Sequence, residues 1–203
     1  FFRHRIAFSK IQQAITTAVS SIRSDDAISL TKQLSEGNIE IPDRTPRCYI
    51  VSSVCGGTGS GMILDIAGIV NNSGGRANLI GFLPKMFEAD IDLPESIWQL
   101  YANTYATLKE IHHYMTGGKW QVWYNEKKKD GVTLDKKVFD YCFLVEKESE
   151  TLDLNDRLHV SPLVAEFIFR VITDLEHPLH TSGVNIRKFI ETNTPNWCNG
   201  LGI

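Results

Sequence analysis

Ile6, Ile11, Ile15, Val19 and Ile22 recur at steps of three to five, drawing one apolar stripe on a helix and predicting that this helix packs on a sheet. From Ser24 to Arg47 the chain turns polar, with Gly37-Asn38 and the prolines Pro42 and Pro46 marking a connection that holds one short helix around Ile28 to Leu34. Cys48 to Val54 is a β-branched run without alternation, the pattern of a strand covered on both faces of a parallel sheet. Glycines follow from Cys55 to Gly61, then a helix-length apolar segment from Met62 to Val70 that stops at Asn71-Asn72-Ser73-Gly74-Gly75. Ala77 to Leu83 makes a second buried strand. Leu93-Pro94-Glu95-Ser96 opens a long amphipathic helix through Leu100, Tyr101, Tyr105, Leu108 and Ile111 toward Gly117-Gly118.

Trp120–Tyr124 and Val132–Leu134 flank a charged segment ending in Asp130-Gly131, which predicts a hairpin. Tyr141 to Glu146 reads as a further strand, and Leu163, Phe167, Val171 and Leu175 line one face of a further helix. Parallel strands joined by helical crossovers define the fold class: α/β, a doubly wound, mostly parallel sheet with helices on both faces and a hairpin insertion.

Composition narrows the function classes. The chain has 203 residues, 42% hydrophobic and 22% charged, which is a folding chain of about one domain. Its 21 Lys and Arg against 24 Asp and Glu leave a net charge of −3, so no nucleic acid or membrane partner is expected. No apolar run approaches the roughly 20 residues of a bilayer span, and Phe1-Phe2-Arg3-His4-Arg5 lacks the order of a signal peptide, so the expected localisation is cytoplasmic. Cys48, Cys55, Cys142 and Cys198 lie far apart without a C-x-x-C pair and are expected as reduced thiols rather than a zinc site.

The glycine run carries the chemistry. A glycine loop between a buried strand and a helix N-terminus lets the backbone approach a ligand closely, and unpaired N–H groups with the helix dipole attract phosphate. Thr58 and Ser60 add hydroxyl donors to that loop. Ser60-Gly61-Met62 lacks the lysine of a Walker loop, which excludes that class. Gly57-x-Gly59-x-Gly61 departs from the G-x-G-x-x-G dinucleotide fingerprint and has no well-placed acid after the next strand, so a Rossmann-type oxidoreductase stays as a third reading. On this view Gly59→Val should abolish ligand binding while leaving the fold largely intact, because the new side chain would fill the phosphate path.

Gly56-Gly57-Thr58-Gly59-Ser60-Gly61 after a hydrophobic strand resembles the G-G-G-T-G-[ST]-G signature loop of the tubulin/FtsZ superfamily, with Cys55 at the usual first glycine. Val51-Ser52-Ser53 before it and Met62-Ile63-Leu64-Asp65-Ile66-Ala67 after it resemble more closely the prokaryotic tubulin-like family. The resemblance implies a GTP-binding, possible-GTPase fold whose nucleotide occupancy controls filament or smaller self-assembly, with GTP/GDP and Mg2+ as cofactors and the nucleotide held by Cys55, Gly56, Gly57, Thr58, Gly59, Ser60 and Gly61. Phe82-Leu83-Pro84-Lys85-Met86-Phe87-Glu88 is similar to the strand and loop that bring a glutamate to the ribose, which gives that role to Glu88. Ala102-Asn103-Thr104-Tyr105 is similar to the next helix of the family and Tyr141–Val145 to its next strand. Glu146-Lys147 stands where the superfamily helps to read guanine, with Asn155-Asp156 only later, and Glu166 and Leu163 are the candidates on the central helix from Ser161.

Gly183 to Phe189 is similar to the segment that reaches the next subunit's nucleotide, but with Asn185 and Lys188 where acids position water, so no catalytic residue is assigned. These departures motivate the rival reading, a non-catalytic nucleotide-binding scaffold or partner-binding module. The expected organisation is an N-terminal helix and connection over 1–47, a nucleotide-binding core over 48–180, and the start of a following segment over 181–203 of what reads as an excerpt of a longer protein.

Other residues carry bland readings beside sharp ones. Asp65 faces water, complements the helix start, or reaches a hydrated magnesium ion. His112-His113 read as favourable charge at a helix C-terminus, and Trp98, Trp120 and Trp123 as packing. Cys55 has no base beside it in sequence and is given no redox role.

Overall fold

The computed structural model describes residues 5–37, 41, 44–87, 91, 93–125, 130–134, 137–146, 162, 164–169 and 198–200. Helix α1 (Arg5–Ile22) and helix α2 (Asp25–Leu34) lead into strand β1 (Arg47–Ser53), helix α3 (Gly57–Asn72) and strand β2 (Arg76–Phe82). A 3-10 turn (Pro84–Met86), helix α4 (Pro94–Met115), the strands β3 (Trp120–Asn125) and β4 (Asp130–Leu134), strand β5 (Cys142–Val145) and strand β6 (Cys198–Gly200) follow.

The main sheet has the order β1-β2-β5-β6, and its paired strands are all parallel. In that register Tyr49 lies opposite Asn78, and Leu79 opposite Cys142. All strand C-terminal ends therefore share one edge of the sheet, and the glycine run leaves from that edge directly after β1. Strands β3 and β4 pair antiparallel in a sheet of their own. Asp130 and Gly131 belong to β4, opposite Asn125 and Trp123, rather than to a turn.

Side chains of a strand alternate between faces, and β2 and β5 divide the core accordingly. On one face Ala77, Leu79 and Cys142 pack with Ile63, Leu64 and Ala67 of α3 and Ile111 and Met115 of α4. On the other, Ile80, Phe143 and Val145 pack with Val164, Phe167 and Ile168 of the helical stretch 164–169. Helices on both faces of a parallel sheet are the expected doubly wound α/β arrangement.

Several element boundaries follow from local chemistry. Ser24 caps α2 by accepting the Ala27 N–H at 3.2 Å, with Asp25 and Asp26 in the first turn. Proline occupies the start of α4, and Gly117, at φ 101°, takes the left-handed conformation just after its end. Three expectations need correction. Helix α1 rests on α3, with Ile11 and Ile15 against the core and Val19 buried, while Ile22 is 60% exposed, so the apolar stripe ends one turn early. Strand β1 is not covered on both faces, since Val51 is 45% exposed and none of its residues is fully buried, and among the described residues it lies at the edge of the sheet. The third is the start of α3, which lies inside the glycine run. No helix among the described residues is long and apolar enough to cross a membrane.

Candidate functional site: the N-terminus of helix α3

The chain enters the glycine run already anchored. Val54 is fully buried and donates its N–H to the Phe82 carbonyl at 3.1 Å, extending the ladder one residue beyond β1. Cys55 is buried as well. The Ser53 hydroxyl oxygen then accepts two main-chain N–H groups, from Cys55 and Gly56, each at 3.2 Å, and lies 2.9 Å from the Cys55 sulfur. From across the fold, the Asn103 side-chain amide on α4 donates to the Cys55 carbonyl at 3.1 Å. Gly56 follows as N-cap in extended conformation, φ −86° and ψ 157°. Its carbonyl accepts the Ser60 N–H at 3.2 Å and also the Ser60 hydroxyl.

The glycine run is thus a two-residue entry and the first turn of a helix, not a seven-residue loop. Helical N–H groups bond backward by four residues, so those of Gly57, Thr58 and Gly59 have no intrahelical acceptor. A glycine N-cap has no side chain to offer them, and the first turn contains no acid. The result is a positive helix terminus with unpaired donors, flanked by Thr58, which is exposed. Three predicted contributors are engaged elsewhere. Cys55 and Gly56 spend their N–H groups on Ser53, and the Ser60 hydroxyl donates to its own helix backbone rather than standing free as a phosphate donor.

The glycines differ in what surrounds them. A Cβ on Gly57 or Gly61 would meet nothing within 4 Å, whereas one on Gly59 would stand 2.5 Å from the Ser52 hydroxyl oxygen and 2.8 Å from the Ser53 carbonyl oxygen. Gly59 is small because the helix start presses on the end of β1. The expectation that Gly59→Val spares the fold is therefore wrong: valine there collides with main chain before it reaches any ligand.

The other predicted residues are spread more widely. Glu88 lies outside the described residues, as do Leu163, Asn185 and Lys188. Glu166 is exposed on the stretch 164–169, across the sheet from α3. Asp65 is half-buried eight residues into α3, about 12 Å along the axis from Gly57, too far to complement the helix start. Among the described residues no group of three His, Cys, Asp or Glu is drawn together. His112 and His113 occupy the last turn of α4. Trp98 is 74% exposed and does not pack in the core. Burial pushes the Cys55 thiol up, while the hydrogen bond from Ser53 pulls the other way.

A family model described as tubulin like matches residues 1–198. The chain belongs to this tubulin-like family. No curated protein and no solved structure matches it. In this tubulin-like chain the strand, glycine run, helix and strand stand in the order the resemblance implied, and the glycine run opens α3 at the strand-end edge of the sheet. Ligands of open α/β sheets bind outside the carboxyl ends of the strands.

Two residues that position this site were given no role by sequence. Ser53 had a readable signal, since a hydroxyl just ahead of a turn can accept the N–H groups two and three residues on. Asn103 had none, being 48 residues from its acceptor.

Proposed function

We propose that this tubulin-like chain binds the phosphate tail of a guanine nucleotide at the N-terminus of α3, and that occupancy controls its association with further copies of itself. The observation that supports the reading is the uncapped, acid-free first turn of α3, where the N–H groups of Gly57, Thr58 and Gly59 have no intrahelical partner. Phosphate oxygens would accept those N–H groups, and the Thr58 hydroxyl would add one donor. The open space beside Gly57 and Gly61 leaves room for the anion to approach main chain. Magnesium fits as an ion carried by the phosphates, neutralising their charge and keeping several of its own waters. Glu88 and Glu166 are the residues proposed for the ribose and the base.

Head-to-tail contacts between identical subunits propagate without closing, so a nucleotide lying at such a contact would couple binding to filament growth. Hydrolysis, in this reading, is completed by a neighbouring subunit. The test is equilibrium binding of a fluorescent GTP analogue to the chain, with GDP, ATP and NAD as competitors. Gly57→Val places a branched side chain in the open space and should weaken binding by about tenfold or more with little change in melting temperature. Unchanged affinity in that variant refutes the site. Phosphate release rising more than linearly with protein concentration identifies a GTPase completed by neighbours. Tight binding without turnover identifies the scaffold, and preferential NAD binding overturns both.

A further inference from the structure

We propose that Asn103 is a positioning residue for the phosphate site: its side-chain amide holds the Cys55 carbonyl, at the entry to the uncapped turn of α3, away from the anion. This rests on the reading of the α3 N-terminus as that site. The peptide unit joining Cys55 to Gly56 is planar, so fixing both of its polar ends fixes its rotation. Asn103 Nδ2 holds the carbonyl end at 3.1 Å, and Ser53 Oγ holds the Gly56 N–H end at 3.2 Å. The next residue to donate is Gly57, the first of the unpaired group.

Without such fixing, the entry is the softest backbone in the region. Gly56 and Gly57 are adjacent, and glycine reaches positive φ about as readily as negative φ, so the peptide before Gly56 can turn over at little steric cost. Turned over, it would lose both of these bonds and swing the Cys55 carbonyl dipole toward the anion. The orientation of the amide is set by chemistry, since only its nitrogen can donate to a carbonyl. Asn103 is well placed to impose it, because α4 is held by Ile111 and Met115 in the core and by packing on α3. The carbonyl of Asn103 accepts the Thr107 hydroxyl at 2.8 Å, so this part of α4 is braced internally too.

The experiment titrates GTP, GDP and inorganic tripolyphosphate against the wild-type chain, Asn103→Leu, Asn103→Asp and Thr116→Val. Asn103→Leu keeps the volume and removes the donor, and is expected to weaken GTP and tripolyphosphate binding roughly tenfold, with a smaller loss for GDP. Asn103→Asp also lacks the donor and adds negative charge, so its loss should be larger. Thr116→Val removes hydrogen bonds to the His112 and His113 carbonyls at the far end of α4 and should lower the melting temperature while leaving affinity unchanged. Wild-type affinity in both Asn103 variants overturns the inference, as does an equal affinity loss in Thr116→Val. Should Asn103→Leu not fold, Asn103→Asp decides alone. A wild-type chain that binds none of the three probes overturns the phosphate site itself, which separates that failure from the failure of Asn103 to position it.

Discussion

Replacing Gly59 by alanine adds one methyl group at the tightest approach in the glycine run. Its Cβ would lie 2.5 Å from Ser52 Oγ and 2.8 Å from the Ser53 carbonyl oxygen, with the Ser53 nitrogen at 3.5 Å. The Ser52 hydroxyl can rotate aside. The Ser53 carbonyl cannot, because it belongs to main chain at the end of β1, and relieving it requires the first turn of α3 to move by about half an ångström. Overpacking of that kind costs roughly 1–3 kcal/mol. Against it stands a gain of up to about 1 kcal/mol from replacing glycine by alanine in a helix, diminished in the first turn. The net expectation is a loss of about 1–2 kcal/mol, or roughly 2–8 °C in melting temperature for a chain of this size.

Gly57→Ala is the reference, since its Cβ meets nothing within 4 Å and only the helix gain remains. Thermal unfolding followed by far-ultraviolet circular dichroism compares the two. Gly59→Ala melting with or above Gly57→Ala would refute the packing argument and restore the glycine as purely a ligand-facing position.

Removing the Ser53 hydroxyl in Ser53→Ala leaves the Cys55 and Gly56 N–H groups without their acceptor in a partly buried turn, a destabilisation of about 1–3 kcal/mol measurable by urea unfolding. An unchanged urea midpoint would contradict the assignment. Burial pushes the thiols of Cys55 and Cys48 above the ordinary value of 9.0, so the folded chain keeps those protons to higher pH than the unfolded chain. The stability they contribute is complete below that ordinary value and is lost as pH rises through the folded values. Unfolding midpoints should therefore fall as pH climbs past 9.0, and fall less steeply in Cys55→Ala, with an identical slope in that variant counting against the linkage.

The strand, helix and strand around the glycine run were legible because each has a local cause. Short, mostly apolar runs without alternation mark β1 and β2, and Asn71-Asn72-Ser73-Gly74 ends α3 where the pattern said it would. Proline and Gly117 bracketed α4 for the same reason. The departures were matters of neighbourhood. That β1 lies at an edge among the described residues depends on which strands pair with it, and nothing in Cys48-Tyr49-Ile50-Val51 records that. Strand β6 is three residues long, too short for any period to show. In the helix after β5, Phe167 of the expected stripe packs inward as the spacing said, joined by Val164 and Ile168, which a four-residue period alone does not pick out, while Leu163, Val171 and Leu175 lie outside the described residues. Asn103 was invisible for the most general reason, since a donor on one helix and an acceptor before another meet only after the sheet has formed.

Glycine spacing itself carries less than it suggests. In Gly56-Gly57-Thr58-Gly59-Ser60-Gly61 the same residue answers different demands at neighbouring positions: Gly56 turns the chain into the helix, Gly59 lets that helix press on β1, and Gly57 and Gly61 border open space. A sequence reader who assigns all of them to a ligand overstates the contact, and one who assigns all of them to a turn leaves Gly57 and Gly61 unexplained. The two demands are linked physically. Close approach at Gly59 is what brings the uncapped first turn of α3 to the strand-end edge of the sheet, so the packing glycine places the donors while the open glycines leave them reachable. Variants that alter Gly59 will therefore always confound binding with stability, and evidence for the phosphate site has to come from Gly57 or from the groups that orient it.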